Sequence, residues 1–363
     1  MRALFYHRGE DWSGPARAFD VAARGLVARG WEVSFVCTPD SAVQRHVAHG
    51  AYEVFAPPRS GGWITQSRRL RRLLLDRFVE AVFVHTEREH LIVAAAQRFA
   101  GRGAAVRRIS AGAKLSLGLR GRLALRLATG GFLFTTREDL EAGGAAARQA
   151  LDPVVAELGV AVGTADAVER QPDPAPGNAR TIVCITDRCS RLRVAVALRT
   201  VALLAPRHRG LRMLLLGHGS DDADHRMHAA ALGITAIVRH LGVPADPLRA
   251  MREADLGWVA AEQDDLGFGC LDLMALRTPV LAERDTLAQH YVADGIAGTL
   301  LPHRDAAATA ALIAGYLARE EQRRAMGNAG RTRVAREFTD AAMVDAFEQA
   351  ALAARDRLRW RYA

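Results

Sequence analysis

"ALFYHRGEDWSGPARAFDVAARGLVARGWEVSFVC", residues 3–37, decides the fold. Its first residues make a short apolar strand, and "RGEDWSGPAR" supplies a Gly-containing turn. Phe19, Ala22, Ala23, Leu26 and Val27 then fall at i, i+3, i+4, i+7 and i+8, one apolar face of a helix that Gly30 closes. "WEVSFVC" is the next strand. Strand, turn, helix, strand at this spacing is a βαβ unit. The alternation continues with "AVFVH", a helix through 91–99, "AVRRIS" and "GFLFTT".

Residues 170–180, "RQPDPAPGNAR", concentrate Pro172, Pro174, Pro176 and Gly177, which neither a helix nor a central strand tolerates. They read as a linker. Beyond them "TIVCIT" leads to a helix with Val194, Ala197, Leu198, Val201 and Ala202 on one face. "RMLLLG", "AIV", "LGWVA", "PVLA" and "GTLLP" follow as strands between helices, and everything from Asp305 on reads as helical. The expected architecture is α/β: two doubly wound Rossmann-like domains whose strand ends face a shared central cleft. The boundaries read as 1–170 for the first domain, 171–180 for the linker and 181–338 for the second. A final helix, 339–363, is expected to pack back on the first domain.

Length and composition fit this reading. A chain of 363 residues, half of them hydrophobic, is long for one core and sufficient for two. Cys37, Cys184, Cys189 and Cys270 form neither a disulfide framework nor a zinc pattern, which points to a reducing cytosol. The start "MRALFYHRGEDW" lacks a signal-peptide core, and apolar runs such as "LIVAAA" fall short of the ~20 residues of a membrane span. A cytoplasmic protein, soluble or peripheral to the inner face of the membrane, is expected. Net charge is +9, but Lys114 is the only lysine, so the arginine total reflects coding bias and is weak evidence for nucleic acid. Distribution is more telling: residues 1–170 hold 24 basic and 17 acidic side chains, and residues 91–137 hold nine basic and no acidic ones. Such a field favours anionic partners, including a membrane surface.

The segment 264–280, "DDLGFGCLDLMALRTPV", places Asp264 and Asp272 eight positions apart. As one helix they would stand about 12 Å apart along the axis and would not pair. With a loop over 264–267 and a helix from near Phe268, the first acid stands before a helix N-terminus and the second rides on it. That suits a ligand carrying both phosphate and hydroxyls. Arg188 and Arg193, with Arg191 between, follow the first strand of the second domain, where guanidinium groups suit a diphosphate. "GHGSDDAD", residues 217–224, holds a Gly-x-Gly opened by Gly217, together with Asp222 and Asp224, and reads as turn and helix-cap chemistry; no metal site is expected. His7, His85 and His90 read as hydrogen-bonded structural histidines.

The order of these features resembles family 4 of the retaining glycosyltransferases, two-domain enzymes of the GT-B fold. The resemblance rests on the "WSGPAR" turn, on "ARGWEVSFV", on Arg188 with Arg193, on "LRTPVLAERDTLAQHYVADGIAGTLLP" and on "RRAMGNAGRTRVAREF". It implies transfer of a sugar from a nucleoside-diphosphate donor (UDP, GDP or ADP) to a glycan, lipid or small-molecule acceptor, without metal or other cofactor, in cell-envelope or polysaccharide biosynthesis. By the same resemblance Asp264 meets donor-sugar hydroxyls and Asp272 the ribose, with backbone N–H groups at Gly267, Phe268 and Gly269 facing the diphosphate. Arg188 and Arg193 would stabilise the leaving group, with Gly217 and Arg239 on the donor side. Ser13 and Gly14, and the loop residues Ser110 and Lys114, fall on the acceptor side. Two departures stand out: both acids are Asp where the family has Glu, and Ala111 stands where many relatives have a histidine. They support an alternative, a catalytically degenerate GT-B protein that binds nucleotide or glycan as a partner subunit.

Overall fold

The computed structural model describes residues 1–112, 118–128, 130–143, 153–168, 180–186, 189–244, 246–260, 267–284, 287–302 and 304–362. The chain divides into two compact units, Met1–Leu158 with Asp340–Ala363, and Gly159–Thr339. Each is a parallel sheet flanked by helices, so the fold is the pair of doubly wound Rossmann-like domains that the sequence implies.

The first sheet holds β1 (Arg2–Tyr6), β2 (Glu32–Val36), β3 (Glu53–Phe55), β4 (Ala81–Val84), β5 (Ala104–Ile109), β6 (Gly130–Phe134) and β7 (Val154–Val155). Their order is β3-β2-β1-β4-β5-β6-β7. The second holds β8 (Arg180–Ile185), β9 (Leu211–Leu216), β10 (Val238–Gly242), β11 (Leu256–Val259), β12 (Val280–Glu283) and β13 (Thr299–Leu301), in the order β10-β9-β8-β11-β12-β13. Every pairing is parallel, for example Phe5 opposite Phe35 and Phe83 in the first sheet. A parallel sheet covered on both faces needs strands that are apolar throughout. Leu4, Phe5, Val82, Phe83, Ile182 and Val183 are accordingly all fully buried.

One strand differs from the sequence reading. "AIV" was expected, yet β10 is "VRHLG", because the Ile237 N–H is spent in a turn back to Ile234. The second unit also takes in residues 159–168, which the sequence reading assigned to the first domain. Val160 bridges to Thr339, and the helix Val162–Asp166 is tied to the helix Glu320–Glu337 by a 2.6 Å ion pair between Asp166 and Arg331.

The last helix, Asp340–Tyr362, belongs to the first unit. It inserts Phe347 among Phe5, Phe19 and Phe83, with ring centroids 5.1–6.2 Å apart. Arg29 pairs with Asp345 at 2.7 Å and Glu348 at 2.6 Å, and the Trp31 indole donates to Glu348 at 2.8 Å. Phe347 is fully buried, so truncating it to Ala should cost about 3–5 kcal/mol.

Candidate functional site

In a doubly wound sheet, ligands sit beyond the carboxyl ends of the strands where the strand order reverses. In the second unit that point lies between β8 and β11. The helix Gly267–Ala275 follows β11 and starts one residue before the position expected from the sequence. Its first turn abuts the end of β8: a Cβ at Gly269 would sit 2.6 Å from Ile185 Cδ1, so glycine permits this approach. Phe268 and Asp272 are each only 3% exposed. Asp272 thus rides on this helix within the protein, not on its solvent face.

The helix Arg191–Leu204 begins at the same edge, after β8 and the buried Thr186, whose hydroxyl donates to the Leu216 carbonyl at 3.2 Å. Arg193 lies in its first turn, 4% exposed, with Nη1 3.8 Å from a Glu283 carboxylate oxygen at the end of β12. Glu283 also accepts from the Trp258 indole at 3.3 Å. The sequence reading offers the Arg193 guanidinium to a diphosphate; the structure adds a buried acidic partner. Arg191 is exposed and pairs with Asp224 at 2.5 Å, while Asp222 is the N-cap of the helix Ala223–Ala231. Asp224 is thus engaged in a surface ion pair, whereas the Asp222 side chain makes no capping bond and stands 4.0 Å from Arg191. Among the described residues no group of three or more His, Cys, Asp or Glu could hold a metal.

Gly217 follows β9 at φ +118°, a conformation that favours glycine, and its N–H donates to the Gly242 carbonyl at 2.7 Å. Arg239 is exposed on β10, the edge strand two places from β8. Asp264, Arg188 and Lys114 lie outside the described residues; Arg193, Phe268, Gly269 and Asp272 lie on two helices that start from the adjacent strands β8 and β11, with Gly217 one strand away.

The corresponding point of the first unit lies between β1 and β4. Ser13 is the N-cap of the helix Gly14–Ala28, and its side chain makes no capping bond; Gly14 is buried in the first turn. Ser110 is buried and accepts from Arg108 at 3.3 Å, while Arg108 also donates to Thr135 at 3.0 Å. Ala111 follows and is buried, 9% exposed.

The sequence reading missed a cluster here. Glu89, 4% exposed, accepts from the backbone N–H of Arg8 (2.6 Å), His85 (3.2 Å) and Thr86 (2.8 Å), tying the ends of β1 and β4 together. His7 Nδ1 stands 3.9 Å from the same carboxylate, and the His7 and His85 rings are 6.4 Å apart. Burial lowers the pKa of both imidazoles, that of His85 to about 3 with help from Arg108, so both are neutral near pH 7. The signal was present: "TERE", residues 86–89, is a capping box directly after an apolar strand.

Comparison with known proteins adds to this geometry. Residues 167–333 match the family model "Glycosyl transferases group 1". A lipopolysaccharide core biosynthesis glycosyltransferase of Rhizobium meliloti is 25% identical over 183 residues, 50% of this chain and 53% of that one. A D-inositol 3-phosphate glycosyltransferase of Corynebacterium kroppenstedtii is 30% identical over 157 residues, 40% of this chain and 35% of that one. The chain therefore matches about half the length, or less, of these curated relatives. The crystal structure of Anabaena HepE in complex with UDP and glucose superposes with a TM-score of 0.80 at 16% identity, covering 97% of this chain and all of that one. The group 1 match falls almost wholly within the second unit, and both units share the Rossmann-like α/β fold of solved GT-B glycosyltransferases.

Proposed function

We propose that the protein is a metal-independent, retaining glycosyltransferase of family 4 type, moving a sugar from a nucleoside-diphosphate donor to a glycan, lipid or small-molecule acceptor. The observation that carries this reading is the convergence of Arg193, the start of the helix Gly267–Ala275 and the buried Asp272 at one switch point, inside the segment that matches glycosyl transferases group 1. The solved neighbour with UDP and glucose favours a UDP-linked donor.

The chemistry follows from charge. As the glycosidic bond to the diphosphate breaks, negative charge gathers on the leaving oxygen, where arginine side chains and helix N–H groups lower its energy. Arg193 and Arg188 serve this role, Asp272 holds the ribose, and Asp264 orients the sugar. The acceptor oxygen bonds to the anomeric carbon from the face the diphosphate leaves, and its proton passes to the departing phosphate. The acceptor is held by the first domain, around Ser13, Gly14, Ser110 and Lys114.

Peripheral contact with an anionic membrane on the cytoplasmic side belongs to the same proposal. The helix Leu119–Leu127 exposes Leu119 and Leu123 beside Arg120, Arg122 and Arg126. Among the described residues no helix is long and apolar enough to cross a membrane.

Ala111 favours a second reading, a non-catalytic nucleotide- or glycan-binding partner subunit. A thermal-shift panel of UDP, GDP, ADP and their sugars, paired with a donor-hydrolysis assay in EDTA, tests both. A ligand at 100 times its Kd should add ~2.7 kcal/mol of stability. Binding with slow sugar release supports the transferase; binding without any turnover supports the partner subunit, and no binding refutes the transferase and any nucleotide-binding subunit.

A further inference from the structure

A cavity of about 340 Å³ opens at the carboxyl ends of β1, β2 and β3, beneath the helix Trp63–Asp76. Its walls are mainly apolar, with Phe55, Leu70 and Leu73 prominent, and Tyr6, Arg8 and Arg69 also line it. The volume is at the small end of the range for sites that enclose small molecules. No residue assigned to sugar transfer lines it.

Arg8 is what makes it more than a packing defect. The residue is 8% exposed, so its guanidinium has lost most of its water, a cost of several kcal/mol for an unpaired ion. Nη1 donates to the Cys37 carbonyl at 2.5 Å and Nη2 to the Pro57 carbonyl at 2.9 Å, but Nε is buried without a hydrogen-bond partner. Among the described residues no carboxylate forms an ion pair with it. Glu10 is engaged by Arg59, and Glu89 takes its hydrogen bond from the Arg8 backbone N–H, acting on the guanidinium only as a minor, through-space attraction. Arg69 adds a second guanidinium at the rim, fixed through Nη1 to the Pro58 and Ser60 carbonyls at 3.0 and 3.1 Å. The Tyr6 phenol remains protonated, because burial raises its pKa to about 12.

We propose that this cavity is a binding site for an amphiphilic anion, a molecule with a compact apolar body and a carboxylate or phosphate that meets Arg8 and Arg69. Two positive heads with one unused buried donor supply the charge that such a ligand complements. The apolar walls exclude a bare hydrophilic anion, and the buried charge disfavours a neutral hydrocarbon. The role of the site as an anchor for the sugar acceptor rests on the transferase reading; binding itself does not.

The test is calorimetric titration of the full chain with octanoate, 1-octanol and inorganic phosphate, alongside the thermal shift with UDP. Octanoate should bind one to one, ten- to a hundred-fold more tightly than octanol, as expected for a charge-assisted hydrogen bond, and phosphate alone should not saturate. Octyl phosphate in place of octanoate separates a phosphate-bearing from a carboxylate-bearing source. Ala56→Trp, on the half-exposed rim, should abolish octanoate binding and leave the UDP shift intact. Arg8→Gln, or Arg69→Ala should the first fail to fold, should erase the preference over octanol. Equal binding of octanol and octanoate, no saturable octanoate binding, or binding untouched by Ala56→Trp would each overturn the site. Octanoate binding with no UDP shift would instead count against the transferase reading alone.

Discussion

Arg193 is the residue where the donor-site reading and the stability of the second unit meet, and its removal should damage both. At 3.8 Å from Glu283, with both side chains almost wholly buried, the pair attracts by about 4 kcal/mol at an effective dielectric of about 20. Desolvation cancels much of that in the intact protein, but truncating one partner leaves the other charge buried, which costs about 3–5 kcal/mol. Arg193→Met should therefore lower the unfolding free energy by about that amount, and the double variant with Glu283→Gln should recover most of it. Donor binding should behave differently. Both variants should lose roughly 1.5–3 kcal/mol of nucleoside-diphosphate affinity, since neither offers a charged donor. Nucleoside alone should bind nearly as before. Denaturant titration gives the stabilities and calorimetry the affinities. A single variant as stable as the parent would refute the buried-pair argument; equal loss for nucleoside and diphosphate would refute the leaving-group assignment.

His90 is 2% exposed, with Nδ1 lacking a hydrogen-bond partner, and burial lowers its pKa to about 3. Because the unfolded chain takes up the proton first, this residue's contribution is complete above about pH 6.5 and is lost as pH falls toward 3, about 2 kcal/mol being gone by pH 5. The difference in stability between the parent and His90→Leu, measured by urea titration from pH 7.5 to 5, should change by that amount; a constant difference would show that His90 titrates normally. Sugar transfer should persist in EDTA, and abolition by chelation with rescue by Mg²⁺ or Mn²⁺ would return Asp222 and Asp224 to consideration. Gly327→Ala would place a Cβ 2.0 Å from the Arg277 carbonyl oxygen, so thermal denaturation should show a loss of more than about 1 kcal/mol, and unchanged stability would show that the helix shifts freely. Asp272→Ala should chiefly raise the apparent KM for the donor, since the ribose is unchanged during reaction; a fall in kcat at constant KM would move Asp272 to the reacting sugar.

The alternation of strands and helices was legible because each apolar run had to be buried on both faces, and Leu4, Phe5, Ile182 and Val183 are. The short edge strands were not. "EVF" in β3 and "VV" in β7 are too brief to carry a period, and they exist only because a neighbouring strand offers them hydrogen bonds. β10 was misplaced for a related reason: Gly233, in a left-handed conformation, closes the preceding helix, and the next residues form a hydrogen-bonded turn from Ile234 to Ile237 that hydrophobicity does not announce. At the candidate site, spacing placed Arg193 and Asp272 near helix starts but did not reveal that both would be buried. The neighbours there are far away in sequence and only the sheet brings them close: Glu283 beside Arg193, and Ile185 against Gly269 on the helix that carries Asp272.

Glu89 makes the same point from the opposite direction. As the last residue of a capping box it has a complete local explanation, visible in "TERE". The fold adds the Arg8 N–H, just past the end of β1, at 2.6 Å and His7 at 3.9 Å, partners some 80 positions earlier. A carboxylate that caps one helix can thus also fix the separation of the two strand ends at the switch point, where a ligand would enter. Its replacement by Gln would keep the size but leave an amide NH₂ facing N–H donors. That mismatch would loosen the ends of β1 and β4 together, a coupling that local sequence rules do not contain because it exists only once the two strands are adjacent.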